Sequence, residues 1–409
     1  MKRRLCMTFL LLSMLLTGCW DRLEVEDQLF PVSVSVDAGQ WKRYRVMMRV
    51  PMASQVKSGV LGGKAGGAMS SELLTAEADS ITQAVLIINA SVARRINLRH
   101  MRALVVGESL ARADLHELFA ELMRNGEVRQ TVAFLVARGQ AEQVFRLANF
   151  TGEANAAKLS EGILLVEKQL HLSPPIRLHH MINRSSGSGI DAFAPVISIN
   201  PRVGGGDGGS DGQETALAGD LDRFDGNPVE IAGTAIFVRS RLAGFLTVDE
   251  TQALLALRGE MGKAYMTIPH PLAPGKSVLV RYQQENKPTG PVLITPEGPR
   301  VSIRLIFEGE VLSGDDDYQN EETRRRLEAA ASAYMRKLAE AVIRKQVEWE
   351  ADPIGLGLKA RRRFSTWDEW HQYNWPRHIS ELQSNVVVEM RIRRFGLTLG
   401  TEQVSRIKN

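Results

Sequence analysis

The sequence predicts an α+β protein of several domains, with three on its own pattern of breaks, mixed or antiparallel sheets, and a long C-terminal-domain helix packed on a sheet. Three observations carry that expectation. The chain has 409 residues, too many for one ordinary hydrophobic core. Short runs of period two, such as Phe30 to Asp37, are interleaved with runs of period 3.6, such as Leu110 to Met123. Two glycine-rich stretches, Ser58 to Ala68 with five glycines and Pro201 to Glu214 with six, interrupt the pattern.

In chain order, residues 1–18 read as a signal peptide. Lys2-Arg3-Arg4 precedes a twelve-residue apolar run, Leu5 to Leu16, which is shorter than the roughly 20 residues a bilayer span requires. Leu16-Thr17-Gly18-Cys19 then has the form of a lipobox, with small residues before a cysteine whose thiol can carry diacylglycerol. Cys19 is the candidate lipidation site. Cys6 and Cys19 are the two cysteines of the chain, so the body after residue 19 holds no disulfide and no Cys-based zinc site.

Residues 19–200 are expected to form an N-terminal α/β domain. Phe30–Asp37 and Tyr44–Val50 make a hairpin turned near Gly39, Leu73 to Ala93 reads as one helix, and Ala103–Gly107 as a buried strand. Leu110 to Met123 reads as a helix, Thr131 to Ala137 as a strand and Ala141 to Ala148 as a further helix. Residues 201–228 are expected to be a linker, 229–268 a small middle domain and 269–409 a C-terminal α+β domain. The middle segment carries a hairpin, Ile231–Val238 and Leu242–Leu246, and a helix from near Asp249. In the last segment, strands at Ser277–Tyr282, Val301–Phe307 and Val386–Ile392 surround a helix from Glu321 to Glu350. Its stripe Leu327, Ala331, Tyr334, Leu338, Val342 and Trp349 faces an antiparallel sheet, while Glu321–Arg325, Glu322–Arg326 and Glu340–Arg344 are i,i+4 ion pairs.

Catalytic motifs fail on specific residues. Gly204 to Gly209 satisfies G-x-G-x-x-G but is followed by more Gly, Ser and Asp where a helix must start. Gly63-Lys64 lacks the hydroxyl residue of a phosphate loop, and Gly275-Lys276-Ser277 has His270 where its first glycine belongs. His179-His180 are adjacent, so on a helix they point about 100° apart and do not converge on one metal. His116-Glu117 stands alone, and Ser185 to Gly189 lacks the first glycine of a nucleophile elbow. No catalytic, cofactor or metal site is expected.

Nucleic acid is not an expected partner either. Lys and Arg exceed Asp and Glu by four, but three of those charges, Lys2, Arg3 and Arg4, leave with the leader. What persists is a basic C-terminal segment, ten Lys and Arg against five Asp and Glu from Lys359 to Asn409. Within it Arg361-Arg362-Arg363 reads as a solvated turn, with anionic lipid headgroups as its alternative contact. Trp20, Trp367, Trp370 and Trp375 are candidates for partner contact set against ordinary core packing.

Several segments together resemble the Ger(x)C lipoproteins, the C subunits of bacterial spore germinant receptors. These are Cys19-Trp20-Asp21-Arg22-Leu23-Glu24, Met101 to Ala111, Gly233-Thr234-Ala235-Ile236-Phe237 with Leu242-Ala243-Gly244 and Glu250-Thr251, then Ala351-Asp352-Pro353-Ile354-Gly355-Leu356-Gly357, Trp367, Trp370 and the strand Val386 to Arg394 closing in Gly396. The resemblance spans the mature chain in order, with 58–68 and 203–212 as loop expansions. It implies a non-enzymatic, lipid-anchored subunit with three α+β domains on the outer surface of the spore inner membrane, beside multi-span A-type and transporter-like B-type subunits. No ligand site transfers residue by residue. The alternative is a substrate-binding lipoprotein of a transporter, which would need two similar lobes around a cleft, whereas the alternations here do not repeat between halves.

Overall fold

The computed structural model describes residues 24–51, 71–147, 162, 166, 171–187, 189–204, 216–313 and 320–395. Cys19, Trp20 and both glycine-rich cores lie outside them.

The hairpin near the N-terminus forms as its alternation requires, with β2 (Ser33–Ala38) antiparallel to β3 (Tyr44–Pro51), after a two-residue β1 (Gln28–Leu29). Gly39 is required by close approach, because a Cβ there would fall 2.1 Å from the Lys42 carbonyl oxygen. The expected helix from Leu73 to Ala93 is instead strand β4 (Ser71–Ala78) followed by a shorter helix α1 (Ile81–Asn89). Leu, Ala and Glu favour helix locally, but pairing of the whole segment with β3 overrides that preference. Helix α1 starts where Ser80 accepts the Gln83 N–H as N-cap.

Beyond the short β5 (Arg95–Ile96), β6 (Ala103–Gly107) is buried throughout. The expected helix from Leu110 is two helices, α2 (Glu108–Ala113) and α3 (His116–Arg124), separated at Asp114, whose backbone is fully extended. Strand β7 (Ala133–Ala137), α4 (Ala141–Leu147), α5 (Leu178–Ser185) and β8 (Phe193–Ile199) follow.

The segment expected as a small middle domain completes this same sheet. Strands β9 (Val229–Val238) and β10 (Arg241–Leu246) extend it to eight, in the order β10-β9-β8-β7-β6-β2-β3-β4. β9 pairs antiparallel with β8, so residues 201–228 join two neighbouring strands of one sheet. β2, β6, β7 and β8 run parallel at the centre, where both faces are buried.

Helix α6 (Val248–Arg258) bridges to a second sheet. Thr247 and Glu250 form a reciprocal cap at its start, and left-handed Gly259 (φ 71°) ends it. The helix is buried on all sides from Glu250 to Leu257, and its polar side chains find partners in both directions. Thr251 Oγ1 lies 2.7 Å from Thr234 Oγ1 of β9, and Gln252 Oε1 accepts the Tyr282 hydroxyl at 2.7 Å from the second sheet.

That sheet has five strands: β11 (Lys263–Pro269), β12 (Ser277–Gln284), β13 (Val292–Thr295), β14 (Gly298–Val311) and β15 (Gln383–Arg394). It is antiparallel except at one place. β15 lies parallel to β14, because the long helix α7 (Glu321–Glu348) carries the chain back across the sheet between them. Leu327, Ala331, Leu338 and Val342 of the expected stripe are buried, and Tyr334 and Trp349 pack against the core from its margin. Glu321–Arg325 and Glu322–Arg326 pair as expected, whereas Glu340 meets Arg336 in place of Arg344. Two short helices, α8 (Leu356–Ala360) and α9 (Trp367–Tyr373), connect α7 to β15. One continuous apolar core runs through both sheets and α6, and a second covers the far face of the larger sheet beneath α4.

Candidate functional site

A buried polar constellation sits where the two sheets meet. It is organised by Asp352, in the loop between α7 and α8. Asp-Pro after a helix followed by spaced glycines is a turn signal, and the fold completes it with long-range partners. Asp352 is fully buried. Its Oδ1 accepts the N–H groups of Gly355 (2.8 Å) and Leu356 (2.9 Å), and its Oδ2 accepts those of Gly357 (2.7 Å) and the Trp375 indole (3.0 Å). Gly355 holds a left-handed φ of 80°. A Cβ on Gly357 would lie 2.5 Å from the Gly189 Cα and 2.6 Å from the Trp375 Nε1, so the loop touches backbone from the first half of the chain.

The opposing side is built by Asp191, just before β8. Its carboxylate accepts the Asp352 N–H at 2.8 Å and the Arg239 N–H at 3.0 Å, while its own N–H donates to the Asp352 carbonyl at 2.9 Å. Arg258, at the end of α6, donates to the carbonyls of Pro353 (2.6 Å) and Ile354 (3.3 Å) and pairs with Glu260. The guanidinium carbons of Arg184 and Arg258 lie 4.4 and 4.8 Å from the centroid of the Phe193 ring. Beneath the loop, Trp370 and Trp375 stack with centroids 6.2 Å apart, both buried.

Burial raises the Asp352 carboxyl to about 6 and nearby Asp191 adds to the rise, against the pull of the three backbone N–H donors. Burial also lowers His180 to about 4, with His179 and Arg184 adding to the effect. Both Asp352 oxygens are already engaged by protein donors, so the carboxylate has the environment of a structural clasp, not of a base aimed at a substrate.

The other sequence candidates are placed as follows. His179 and His180 have ring centroids 4.0 Å apart but turn to different partners, the Gln130 carbonyl and the Arg177 N–H. Among the described residues no group of three His, Cys, Asp or Glu could hold a metal. His116 and Glu117 open α3 at the surface, with Glu117 paired to Arg43. Trp370 and Trp375 are core residues, and Trp367 is about half exposed with Arg361 over its ring at 3.9 Å. Arg363 donates to the Val292 carbonyl. Asp191 and Arg258 were not singled out in the sequence; the only hint was the Arg258-x-Glu260 spacing, since Asp191 acts on a loop 161 residues away. Cys19 lies outside the described residues.

An eight-stranded mixed sheet joined through a buried helix and an acidic clasp to a five-stranded sheet defines a two-sheet α+β assembly with one shared core. Two family models match it in succession, the spore germination protein N-terminal domain over residues 21–199 and the spore germination B3/GerAC-like C-terminal domain over residues 232–396. The chain belongs to this GerAC-like family of spore germination proteins. It is 25% identical to the putative spore germination protein YfkR of Bacillus subtilis, over 97% of each chain, and 24% identical to spore germination protein KC of the same organism, over 96% of each. The crystal structure of the GerBC protein has the same fold, with a TM-score of 0.52 at 17% identity over 88% of this chain and 96% of that one. Among the described residues no helix is long and apolar enough to cross a membrane.

Proposed function

We propose that this protein is a lipid-anchored C-type subunit of a nutrient germinant receptor, held by a diacylglyceryl group on Cys19 to the outer surface of the spore inner membrane. In that reading it performs no catalysis. It supports assembly and sensing beside A-type and B-type membrane subunits in nutrient-triggered germination. The observation that carries the reading is the ordered match of both family models to a chain in which Lys2-Arg3-Arg4, the apolar run to Leu16 and Leu16-Thr17-Gly18-Cys19 read as a leader and lipobox. Two acyl chains, at about 0.8 kcal/mol per buried CH₂, supply an anchor of the strength such a role requires. The closed hydrogen bonding at Asp352 supports a structural function for the most buried charge. The transporter alternative calls for two similar lobes, and the two sheets differ in strand number and topology.

The test is Cys19→Ala in spores. Loss of membrane association together with loss of the response to nutrients, while germination by a receptor-independent trigger persists, is the expected result. Retention of both membrane association and nutrient response overturns the reading.

A further inference from the structure

A second surface, separate from the clasp, occupies the end of the eight-stranded sheet where the chain enters. The parallel strands β2, β6 and β7 begin there side by side, with Ser33, Ala103 and Ala133 in register. The entering segment is fixed to this end: Asn97 N–H donates to the Leu29 carbonyl and Arg102 N–H to the Val32 carbonyl, both at 2.8 Å, and β1 pairs with β5. The stretch Arg94-Arg95-Ile96-Asn97-Leu98-Arg99-His100-Met101-Arg102 carries four arginines and no acid, and all four arginines are exposed.

The connection from α3 to β7 brings further cations to the same end. Arg124 and Arg129 are exposed, and the connection is held by Glu127, which accepts the Leu98 N–H at 3.4 Å and pairs with Arg95 at 3.8 Å. Arg95 and Arg124 line one groove of about 480 Å³ together with Leu86, which is 65% exposed, and Met123 beside Arg124 is 60% exposed. Glu24, Glu26 and Asp27 are exposed on the entering turn, and Glu121 is turned inward to accept the Ile81 and Thr82 N–H groups at the start of α1. Six arginines stand here against five acids, Glu24, Glu26, Asp27, Glu121 and Glu127, of which Glu121 and Glu127 are engaged by backbone N–H groups, and apolar side chains stand among them.

Cys19 precedes Gln28 by nine residues, which span at most about 30 Å when extended. We propose that this end of the sheet is a bilayer-contact face, in which Arg94, Arg95, Arg99 and Arg102 engage anionic phospholipid headgroups while Leu86 and Met123 enter the interfacial layer. The proposal rests on lipidation of Cys19, since a tether that short brings this end to the membrane and leaves orientation to be decided. Headgroup attraction to clustered arginine acts within a Debye length, about 10 Å at 0.1 M salt, so it operates only on a face already held close. A lipid tether alone would let the body swivel; the face sets one orientation.

The experiment uses the full lipidated chain in vesicles, labelled with bimane at Leu86→Cys or, as a control in the distant β2–β3 turn, at Gln40→Cys, with a doxyl-labelled lipid as quencher. In vesicles containing phosphatidylglycerol, quenching at position 86 is expected to exceed that at position 40 severalfold. The excess should vanish in phosphatidylcholine alone and in Arg94→Glu/Arg99→Glu, with the milder Arg94→Gln/Arg99→Gln falling between if the reversal disturbs folding. Equal quenching at 86 and 40, or quenching indifferent to lipid charge and to the substitutions, overturns the proposal. Protection of position 86 in native membranes but not in vesicles also overturns it and assigns the face to a protein. Flotation with phosphatidylcholine vesicles separates the two readings: a chain that does not float has lost its anchor, whereas one that floats without quenching has an anchor and no contact face.

Discussion

Asp191 and Asp352 hold each other by a closed pair of bonds: the Asp352 N–H reaches the Asp191 carboxylate at 2.8 Å and the Asp191 N–H reaches the Asp352 carbonyl at 2.9 Å. Two acidic residues are thus adjacent without their carboxylates sharing a donor. The Asp191 carboxylate accepts backbone N–H groups and that of Asp352 accepts backbone N–H groups and the Trp375 indole, and the pair joins the loop after α7 to the strand edge before β8.

Asp352→Ala removes one acceptor for four donors, the N–H groups of Gly355, Leu356 and Gly357 and the Trp375 indole. Charge-assisted bonds contribute about 1.5–3 kcal/mol each and are not additive, so a loss of about 3–5 kcal/mol in urea unfolding is expected. A change below about 1 kcal/mol would mean that the donors are satisfied elsewhere.

Asp352 and His180 give opposite pH dependences. The folded Asp352 carboxyl titrates near 6, above its unfolded value of 3.8, so folding takes up a proton and this group's contribution is greatest below about 4 and is lost as pH rises to 6. His180 titrates near 4 when folded, below its unfolded 6.5, so its contribution is present above 6.5 and is lost as pH falls toward 4. The stability difference between wild type and Asp352→Asn should therefore grow as pH falls from 6 to 4. The difference between wild type and His180→Gln should shrink over the same range. Urea midpoints at a series of pH values check both signs.

Gly357→Ala places a methyl group 2.5 Å from the Gly189 Cα, where backbone cannot yield cheaply. A loss of about 1–3 kcal/mol is expected, as for other overpacked sites. Gly126→Ala, with nothing within 4 Å of its Cβ, should be close to neutral, and urea unfolding of the two variants beside wild type checks both.

β8 and β9 share a ladder, although the first family model ends at residue 199 and the second begins at 232. A fragment ending at Asn200 would expose one side of β8, so it should aggregate, and the full chain should unfold in a single transition. Two well-separated calorimetric transitions would contradict this.

Local pattern made some of this visible in the sequence and withheld the rest. Alternation in Val34, Val36, Val46 and Met48 specified the first hairpin, and the 3.6-period stripe from Leu327 to Val342 specified α7, because in both the buried face repeats within one element. Leu73 to Ala78 reads as helix because its residues favour helix and its true partner, β3, lies beyond a glycine-rich stretch. Alternation from Val386 to Ile392 marks a strand but carries no direction, so the parallel pairing with β14 was not legible. At the clasp, Asp352, Gly355 and Gly357 read correctly as a turn, while Asp191 and Arg258 are joined to it only by the closure of both sheets.

The parallel seam between β14 and β15 makes completion of the smaller sheet wait for residues 383–394. Among the described residues β15 is the last element in chain order, and until it docks, one flank of β14 from Arg300 to Glu310 has its ladder groups open. A premature stop after α7 would therefore do more than trim a terminus. It would leave an uncapped template for intermolecular strand pairing, and nonsense changes late in the reading frame should yield aggregated or degraded protein in place of a shortened, working one.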